Sequence, residues 1–471
     1  MMIHAARLLA GAFAATGLMS LIAALVAART GTGPAVFVGT SAVCLFLAGA
    51  LRFSVGGAPS RPGRAHGISS LLLVWFVVPL ASMPAIAAVS GLPPLAAFLE
   101  AVSAFTTTGA TSLTRGPVSL FVFLALLQWA GGLFTIISAL TILAPAGIGG
   151  LPDRACGRET TLDAVEIGGV VREMAPIYAA GTLLLILVLL LDGQSFYVAF
   201  TLATAATSAG AHLPPEAQIA LTVDAAPKWL VLPFLLWSAT SIRWHRALLT
   251  RRIHAAPEQP ESLLLIGWVL MLGVLIAALL VPASDQGTLD VVRDGLFSAA
   301  SLVATSGIGP PDGTYAALPA GLVLGVVLLG GGMFSAAGGL KMLRLRAIVL
   351  RIRGDLTRLV SPNLVQPAAL AEGGVGSAMR GVWIGTAMLF VVYGLCVIAL
   401  SPGLPNFAAA LTAAAAVVAN CGPVYDAAGQ GWPALGTLPA GSVIAAALGM
   451  VAGRLEIIGM FVVVHLAMWR I

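Results

Sequence analysis

Charge is what this chain most lacks. Only 9% of its 471 residues are Asp, Glu, Lys or Arg, against 59% hydrophobic residues. Soluble domains carry about a quarter charged residues, so a water-soluble fold is excluded and a polytopic membrane protein is implied. Cysteine is scarce too. Cys44, Cys156, Cys396 and Cys421 stand far apart without CxxC spacing, which argues against a disulfide framework and a zinc site. Lysine is nearly absent, Lys228 and Lys341 being the only two. No P-loop and no glycine-rich strand–helix fingerprint occurs, so any nucleotide control would have to come from a partner and not from this chain. The apolar runs also lack the paired acids, histidines or metal cluster that an intramembrane enzyme needs. The net charge of +5 is no nucleic-acid signal, because the basic residues lie in loops between apolar runs.

Long apolar runs are what the chain has. The run 8–28 is longer than the core of a signal peptide and a second run, 35–51, follows at once, so it reads as a first membrane helix. Further spans are read at 71–89, 118–143, 177–191, 229–239, 263–281, 318–329, 382–400 and 438–461, ten in all. Four other apolar runs, 95–105, 196–206, 296–303 and 407–418, fall short of the roughly 20 residues that cross a bilayer. Each leads into a small polar stretch closed by glycine: Thr106-Thr107-Thr108-Gly109, Thr207-Ser208-Ala209-Gly210, Ala304-Thr305-Ser306-Gly307 and Ala419-Asn420-Cys421-Gly422. A unit recurring about every hundred residues is an internal repeat. The expected fold is therefore an all-α polytopic membrane protein with four pseudo-fourfold helix–pore-loop–helix repeats plus two N-terminal transmembrane helices. The repeats are placed at 67–150, 151–254, 255–367 and 368–471, after an N-terminal pair and basic loop at 1–66.

The arginines set the orientation. Arg52, Arg61 and Arg64, then Arg154, Arg158 and Arg172, then Arg243, Arg246, Arg251 and Arg252, then Lys341, Arg344, Arg346, Arg351, Arg353 and Arg358 follow alternate spans. The positive-inside rule puts these loops and both termini in the cytoplasm. The pore loops then open outwards, among Glu100, Asp192, Glu216, Asp224, Asp285, Asp290, Asp294, Asp312 and Asp426. An acidic mouth concentrates cations; ordinary solubilising loop charge is the other reading.

A selective cation pore must replace the ion's water with other oxygens, and rings of backbone carbonyls do so without a trapping charge. Glycine permits the backbone angles this requires, and each short helix aims its negative C-terminal end at the axis. A lone glycine in a membrane helix is ordinary packing; four in phase point to a pore. Five glycines in ten residues, Gly330, Gly331, Gly332, Gly338 and Gly339, weaken the third repeat's second helix by about 1 kcal/mol each relative to alanine. A break there competes with a close-packed interface of small residues. Lys341 follows directly, either to meet this stretch or as a positive-inside anchor. Arg454 lies mid-span, facing a wet path or bracing helices with a partner such as Glu456. His212 reads as a solvated vestibule histidine. The connector 153–173 reads as an amphipathic cytoplasmic helix, and the basic tail 243–254 as a dock for an acidic partner or anionic lipid.

Several long motifs resemble those of the Trk/Ktr/HKT superfamily, and most closely its bacterial TrkH-type pore subunits. They are FTTTGATS at 105–112, QWAGGLFTIISALTILAPAGIGG at 128–150, GGGMFSAAGGLKMLRL at 330–345, RGDLTRLVSPNLVQP at 353–367, ANCGPV at 419–424 and AGRLEIIGMFVVV at 452–464. The resemblance covers nearly the whole chain. It implies a K⁺ uptake pore in the bacterial inner membrane, with potassium ion as substrate, no bound cofactor and no enzymatic activity. It also implies a homodimer regulated by a cytosolic nucleotide-binding ring of the TrkA type. The implied filter is Thr107, Thr108, Gly109; Ser208, Ala209, Gly210; Thr305, Ser306, Gly307; and Asn420, Cys421, Gly422, with departures from the usual pattern at Ala209, Ser306 and Cys421. The implied gate is a broken-helix loop matched by Gly330, Gly331, Gly332, Ser335, Ala336, Ala337, Gly338 and Gly339, with Lys341 beside it and Arg454 in the conduction path. A Na⁺-permeable or Na⁺-coupled member is the near alternative. A secondary transporter with inverted repeats is the alternative of another class, disfavoured by the parallel-type repeats.

Overall fold

The computed structural model describes residues 2–56, 64–143, 167–252, 258–281, 287–309, 315–361 and 375–455. Regular structure among these residues is helical throughout. Helices α1 (Met2–Thr30) and α2 (Ala35–Val55) pair across a turn in which Gly31 and Gly33 take φ of 72° and 74°. Four similar units follow. The first is α3 (Arg64–Ser90), α4 (Pro94–Phe105) and α5 (Val118–Ser138). The second is α6 (Ile167–Leu191), α7 (Phe196–Ser208), α8 (Pro215–Val223) and α9 (Ala225–Ala239), continued by α10 (Ile242–Leu249). The third is α11 (Gln259–Leu280), α12 (Thr288–Val303) and α13 (Ala320–Leu329), followed by the arginine-rich α14 (Met342–Val360). The fourth is α15 (Val375–Leu400), α16 (Phe407–Val418) and α17 (Ala440–Arg454).

Seven of the described helices are long and apolar enough to cross a bilayer, and α8 with α9 form an eighth candidate bent by 109°. The other two expected spans correspond to α13, which stops at Gly330, and α17, whose continuation past 455 lies outside the described residues. The expected connector over 153–166, together with Arg61, Arg154, Arg158, His254, Asp285, Asp312 and Glu456, also lies outside them.

Of the four short helices α4, α7, α12 and α16, sequence explains where three begin. Pro94 starts α4, where a missing N–H is harmless. The Ser195 hydroxyl accepts from Val198 N at the start of α7, and the Asn406 side chain accepts from Ala409 N at the start of α16. These four helices are buried on most sides. The alanines of α16 let it pack closely, while Trp75, Phe105 and Phe134 wedge α3, α4 and α5 together with ring centroids 4.8–5.7 Å apart. Outward faces carry large bare apolar residues, Phe53 at 89% and Leu191 at 79% exposure. Such a belt fits hydrocarbon rather than water.

Two of the acids expected at the outer mouth are turned into the protein, while Asp192, Glu216, Asp224 and Asp426 stay exposed. Glu100 is buried, and Asp294 is buried against Lys228 (2.9 Å) and Arg293 (2.9 Å). These acids meet protein donors, because at that depth a bare carboxylate would be too costly. The basic tail is likewise partly used within the fold: Arg243 pairs with Glu258 at 3.1 Å and Arg246 with Glu173.

Candidate functional site

Each short helix ends in the same way. Thr107, Ala209, Thr305 and Asn420 take the left-handed conformation with φ of 53°, 57°, 52° and 55°. The next residue's N–H reaches back five positions along the turn. Thr108 N donates to Ser103 O (2.8 Å), Gly210 N to Ala205 O (3.0 Å), Ser306 N to Ser301 O (3.0 Å) and Cys421 N to Ala416 O (2.9 Å). This is a Schellman ending built without glycine at its left-handed position. Side chains other than glycine resist that conformation by roughly 1–2 kcal/mol each, and strain of this kind gathers at functional sites.

These endings correct one register. Aligning glycines equates Gly210 with Gly109, Gly307 and Gly422. Aligning the helix ends places Ala209, Gly210 and Ala211 opposite Thr107, Thr108 and Gly109. Ser208 therefore belongs to α7, its hydroxyl donating to Thr204 O at 2.7 Å. Alanine is tolerated at 211 for a backbone reason. Gly109 and Gly307 need φ of 75° and 74°, whereas Ala211 and Gly422 are absent from the positive-φ residues. Loops one and three thus demand glycine by conformation. Loop four demands it by space, because a Cβ on Gly422 would strike Gly109 and Ala110.

The four loops close into a ring. Ala211 of loop two abuts Gly109 of loop one, and a Cβ on Gly109 would lie 2.5 Å from that of Ala211. Ser306 Oγ of loop three donates to Gly210 O of loop two at 2.8 Å. Gly307 packs on Pro423 and Cys421 of loop four. Gly422 N donates to Thr108 O at 2.6 Å and Asn420 Nδ2 to Thr108 Oγ1 at 3.0 Å, which returns to loop one. A carbonyl that accepts one such bond keeps a second lone pair.

Against the left-handed residues lies the stretch between α13 and α14. The expected break is there: Gly330, Phe334, Gly339 and Lys341 have positive φ, and 330–341 forms a buried loop. This loop reaches every repeat. Gly338 N donates to Thr305 Oγ1 at 2.6 Å, and Gly338 lies so near Ala419 O that a side chain has no room. Ala336 packs in one apolar cluster with Ala209. Arg454, buried in α17, joins it to loop one: Nε donates to Thr106 O (2.7 Å), Nη1 to Ala336 O (2.5 Å), and Nη2 to Thr107 Oγ1. Lys341 folds back on the loop, donating to Ala337 O, with Ser335 Oγ at 3.5 Å. Sequence reasoning passed over Glu261. Its Oε1 accepts from both Met333 N (2.9 Å) and Leu343 N (3.1 Å), pinning the two limbs of the loop to α11. Gly331, Gly332, Ser335 and Ala337 are buried within the same loop, where Gly332 N donates to Ala239 O at 2.7 Å and Ser335 Oγ to Gly332 O at 2.5 Å.

Beyond the glycine side of the ring is a cavity of about 300 Å³, lined by all four repeats through Gly109, Ala211, Gly307, Gly422 and neighbours. Asp426 is the one acid among its described lining residues. Desolvation by the cavity wall raises its carboxyl above the ordinary carboxylate value. His212 is not the solvated histidine expected. It is buried, with Nε2 3.1 Å from Glu100 Oε1. No cluster of metal-ligating side chains occurs among the described residues.

No family model matches the chain. It is 27% identical over 432 residues to the Trk system potassium uptake protein TrkH of Halomonas elongata, with 88% of each chain covered. It is 27% identical over 393 residues to the protein of the same name in Escherichia coli K12, with 79% of each covered. Its fold matches the crystal structure of the potassium transporter TrkH from Vibrio parahaemolyticus with a TM-score of 0.84, at 24% identity and 98% coverage of both chains. With the repeated helix–loop–helix units, the chain is thus similar over most of its length to TrkH potassium uptake proteins, and it has the fold of a multi-pass membrane protein.

Proposed function

We propose that the chain mediates K⁺ uptake, and that the ring of four loops is its selectivity filter: 107–109, 209–211, 305–307 and 420–422. The closed ring carries this reading. Four non-helical turns at membrane depth make sense only where they line a wet path, and each receives the negative end of a short helix. The named function of the relatives agrees with it. The buried loop 330–341 serves as the gate, since it touches the turns of loops three and four, shares an apolar cluster with Ala209 of loop two and is joined to loop one through Arg454, which places a fixed cation across the same path. Arg454 both latches the gate loop and repels permeant cations.

The arginines of α14 and the basic tail then face the cytoplasm of a bacterial inner membrane, with both termini on that side. They present a basic surface next to the gate loop for a cytosolic nucleotide-binding ring of the TrkA type. The chain works as a homodimer, as the resemblance implies.

Ala211 supports a second reading within the same class, a filter with weaker preference for K⁺ over Na⁺. One quadrant carries a methyl where the other three carry only hydrogen. Flux of K⁺, Rb⁺, Na⁺ and Li⁺ into proteoliposomes holding the purified chain separates the two. K⁺ and Rb⁺ well above Na⁺ and Li⁺ support the K⁺ filter. Equal flux favours the second reading, and flux of none of the four, even with the regulatory ring added, contradicts both.

A further inference from the structure

Behind loops one and two lies a buried carboxylate that the ion path itself does not use. Glu100 sits on α4 at 2% exposure, seven residues before the left-handed Thr107. Its Oε1 accepts from Thr111 Oγ1 at 2.5 Å and its Oε2 from Ser112 N at 3.0 Å, both on the outgoing limb of loop one. Its Oε1 also stands 3.1 Å from Nε2 of His212, the residue after Ala211 in loop two. A carboxylate only accepts, so the hydrogen lies on Nε2. Buried Nδ1 has no partner among the described residues. The backbone of His212 is fixed separately: its N–H donates to Gln128 Oε1 and its carbonyl accepts from Gln128 Nε2, each at 3.2 Å.

We infer that Glu100 is a positioning residue of the filter, one carboxylate that ties the outgoing limbs of loops one and two to the first pore helix and so sets the spacing of Gly109 against Ala211. The inference rests on the filter reading above. The same helical place in the other repeats holds Leu202, Ser298 and Ala413, so this tie is particular to repeat one. Loop three is held instead by Tyr315, whose hydroxyl donates to Ile308 O at 3.3 Å. The ring is therefore stiffened quadrant by quadrant with different chemistry, and the Gly109–Ala211 contact depends on the Glu100 tie. A catalytic or binding geometry held within about 0.5 Å is lost when its supporting groups are removed.

The test compares K⁺ and Na⁺ flux of the full chain in proteoliposomes for Glu100→Gln, Thr111→Val and the double variant, beside Gly109→Ser as a control. Glu100→Gln keeps shape but turns one accepting oxygen into a donor, so Thr111 or Ser112 loses its partner. The expected result is a roughly threefold to tenfold fall in K⁺ over Na⁺ preference for each single variant. The double variant falls no further than the worse single, because both break the same tie. Unchanged selectivity in folded Glu100→Gln and Thr111→Val, with Gly109→Ser altered, overturns the tie and leaves the filter standing. Unchanged selectivity in Gly109→Ser as well overturns the filter reading itself. If Glu100→Gln does not fold, Thr111→Val decides alone, since it leaves the carboxylate and its bonds to Ser112 and His212 in place.

Discussion

Substituting Gly109 by alanine tests the ring at its tightest contact. The backbone there has φ of 75°, which a side chain resists. The new Cβ would also lie 2.5 Å from Ala211 Cβ and 2.9 Å from Ala211 Cα. The conformational part costs about 1–2 kcal/mol and the steric part about 1–3 kcal/mol, as for other overpacked sites. Removing the Ala211 methyl relieves part of the second, since Ala211 Cα and N stay 2.9 Å from the new Cβ. Gly109→Ala should therefore lower stability by about 2–5 kcal/mol in total. In an Ala211→Gly background the same substitution should cost about 1–2 kcal/mol less. Ala211→Gly alone should be mildly unfavourable, because glycine loses more freedom on folding. Unfolding of the purified proteins in detergent, followed by tryptophan fluorescence over a denaturant series, gives the four values of the cycle. Effects that add within about 0.5 kcal/mol would mean that Gly109 and Ala211 do not touch, and the ring as described would be wrong.

Three further outcomes follow from the same geometry. Arg454→Gln removes the latch between Thr106, Thr107 and Ala336, and bonds to a charged donor are worth about 1.5–3 kcal/mol each, so basal cation flux should rise roughly tenfold or more; folded protein with unchanged flux would remove Arg454 from the gate. Glu261 uses a single oxygen for both Met333 N and Leu343 N, so Glu261→Gln should keep the loop protected in amide hydrogen exchange while Glu261→Ala exposes 330–343; equal protection in both would show that the pin is dispensable. Asp426 is exposed at the cavity but partly desolvated by its wall, which raises its carboxyl, so its charge is present near neutral pH and is lost on acidification milder than an open carboxylate would need. Inward flux should fall as that side is acidified, by up to about tenfold, while Asp426→Asn is low and flat across the range; parallel profiles would exclude Asp426 as the titrating group.

Most of the architecture was legible because its causes are local. Apolar length separates spans from the short helices, and the clustered glycines at 330–339 mark the break that the fold shows. The register of loop two is not legible in the sequence for a physical reason. Glycine marks the turn in the other three loops, but the turn is set by the helix end, where Ala209 takes the left-handed position and glycine is not required at 211. Counting from the capped start at Ser195 does not reveal this, because α7 has 13 residues where α4 and α16 have 12. Glu100, His212 and Glu261 were hidden for another reason. Each draws its meaning from residues far away in sequence: His212 meets Glu100 across 112 positions, and Glu261 meets Met333 across 72. Hydropathy reads Glu100 as one more outer charge, and nothing in its neighbourhood says that it points inward. Arg454 could be placed mid-span from sequence, but its ties to Thr106, Thr107 and Ala336 show how the charge is accommodated.

The most direct measurement is the anomalous scattering of Rb⁺ or Tl⁺ in crystals of the chain soaked with either ion. The account predicts density on the axis enclosed by 107–109, 209–211, 305–307 and 420–422, abolished by Na⁺ only at large excess. Density elsewhere, or none within the ring while ions bind at other depths of the path, would contradict the four loops as the filter.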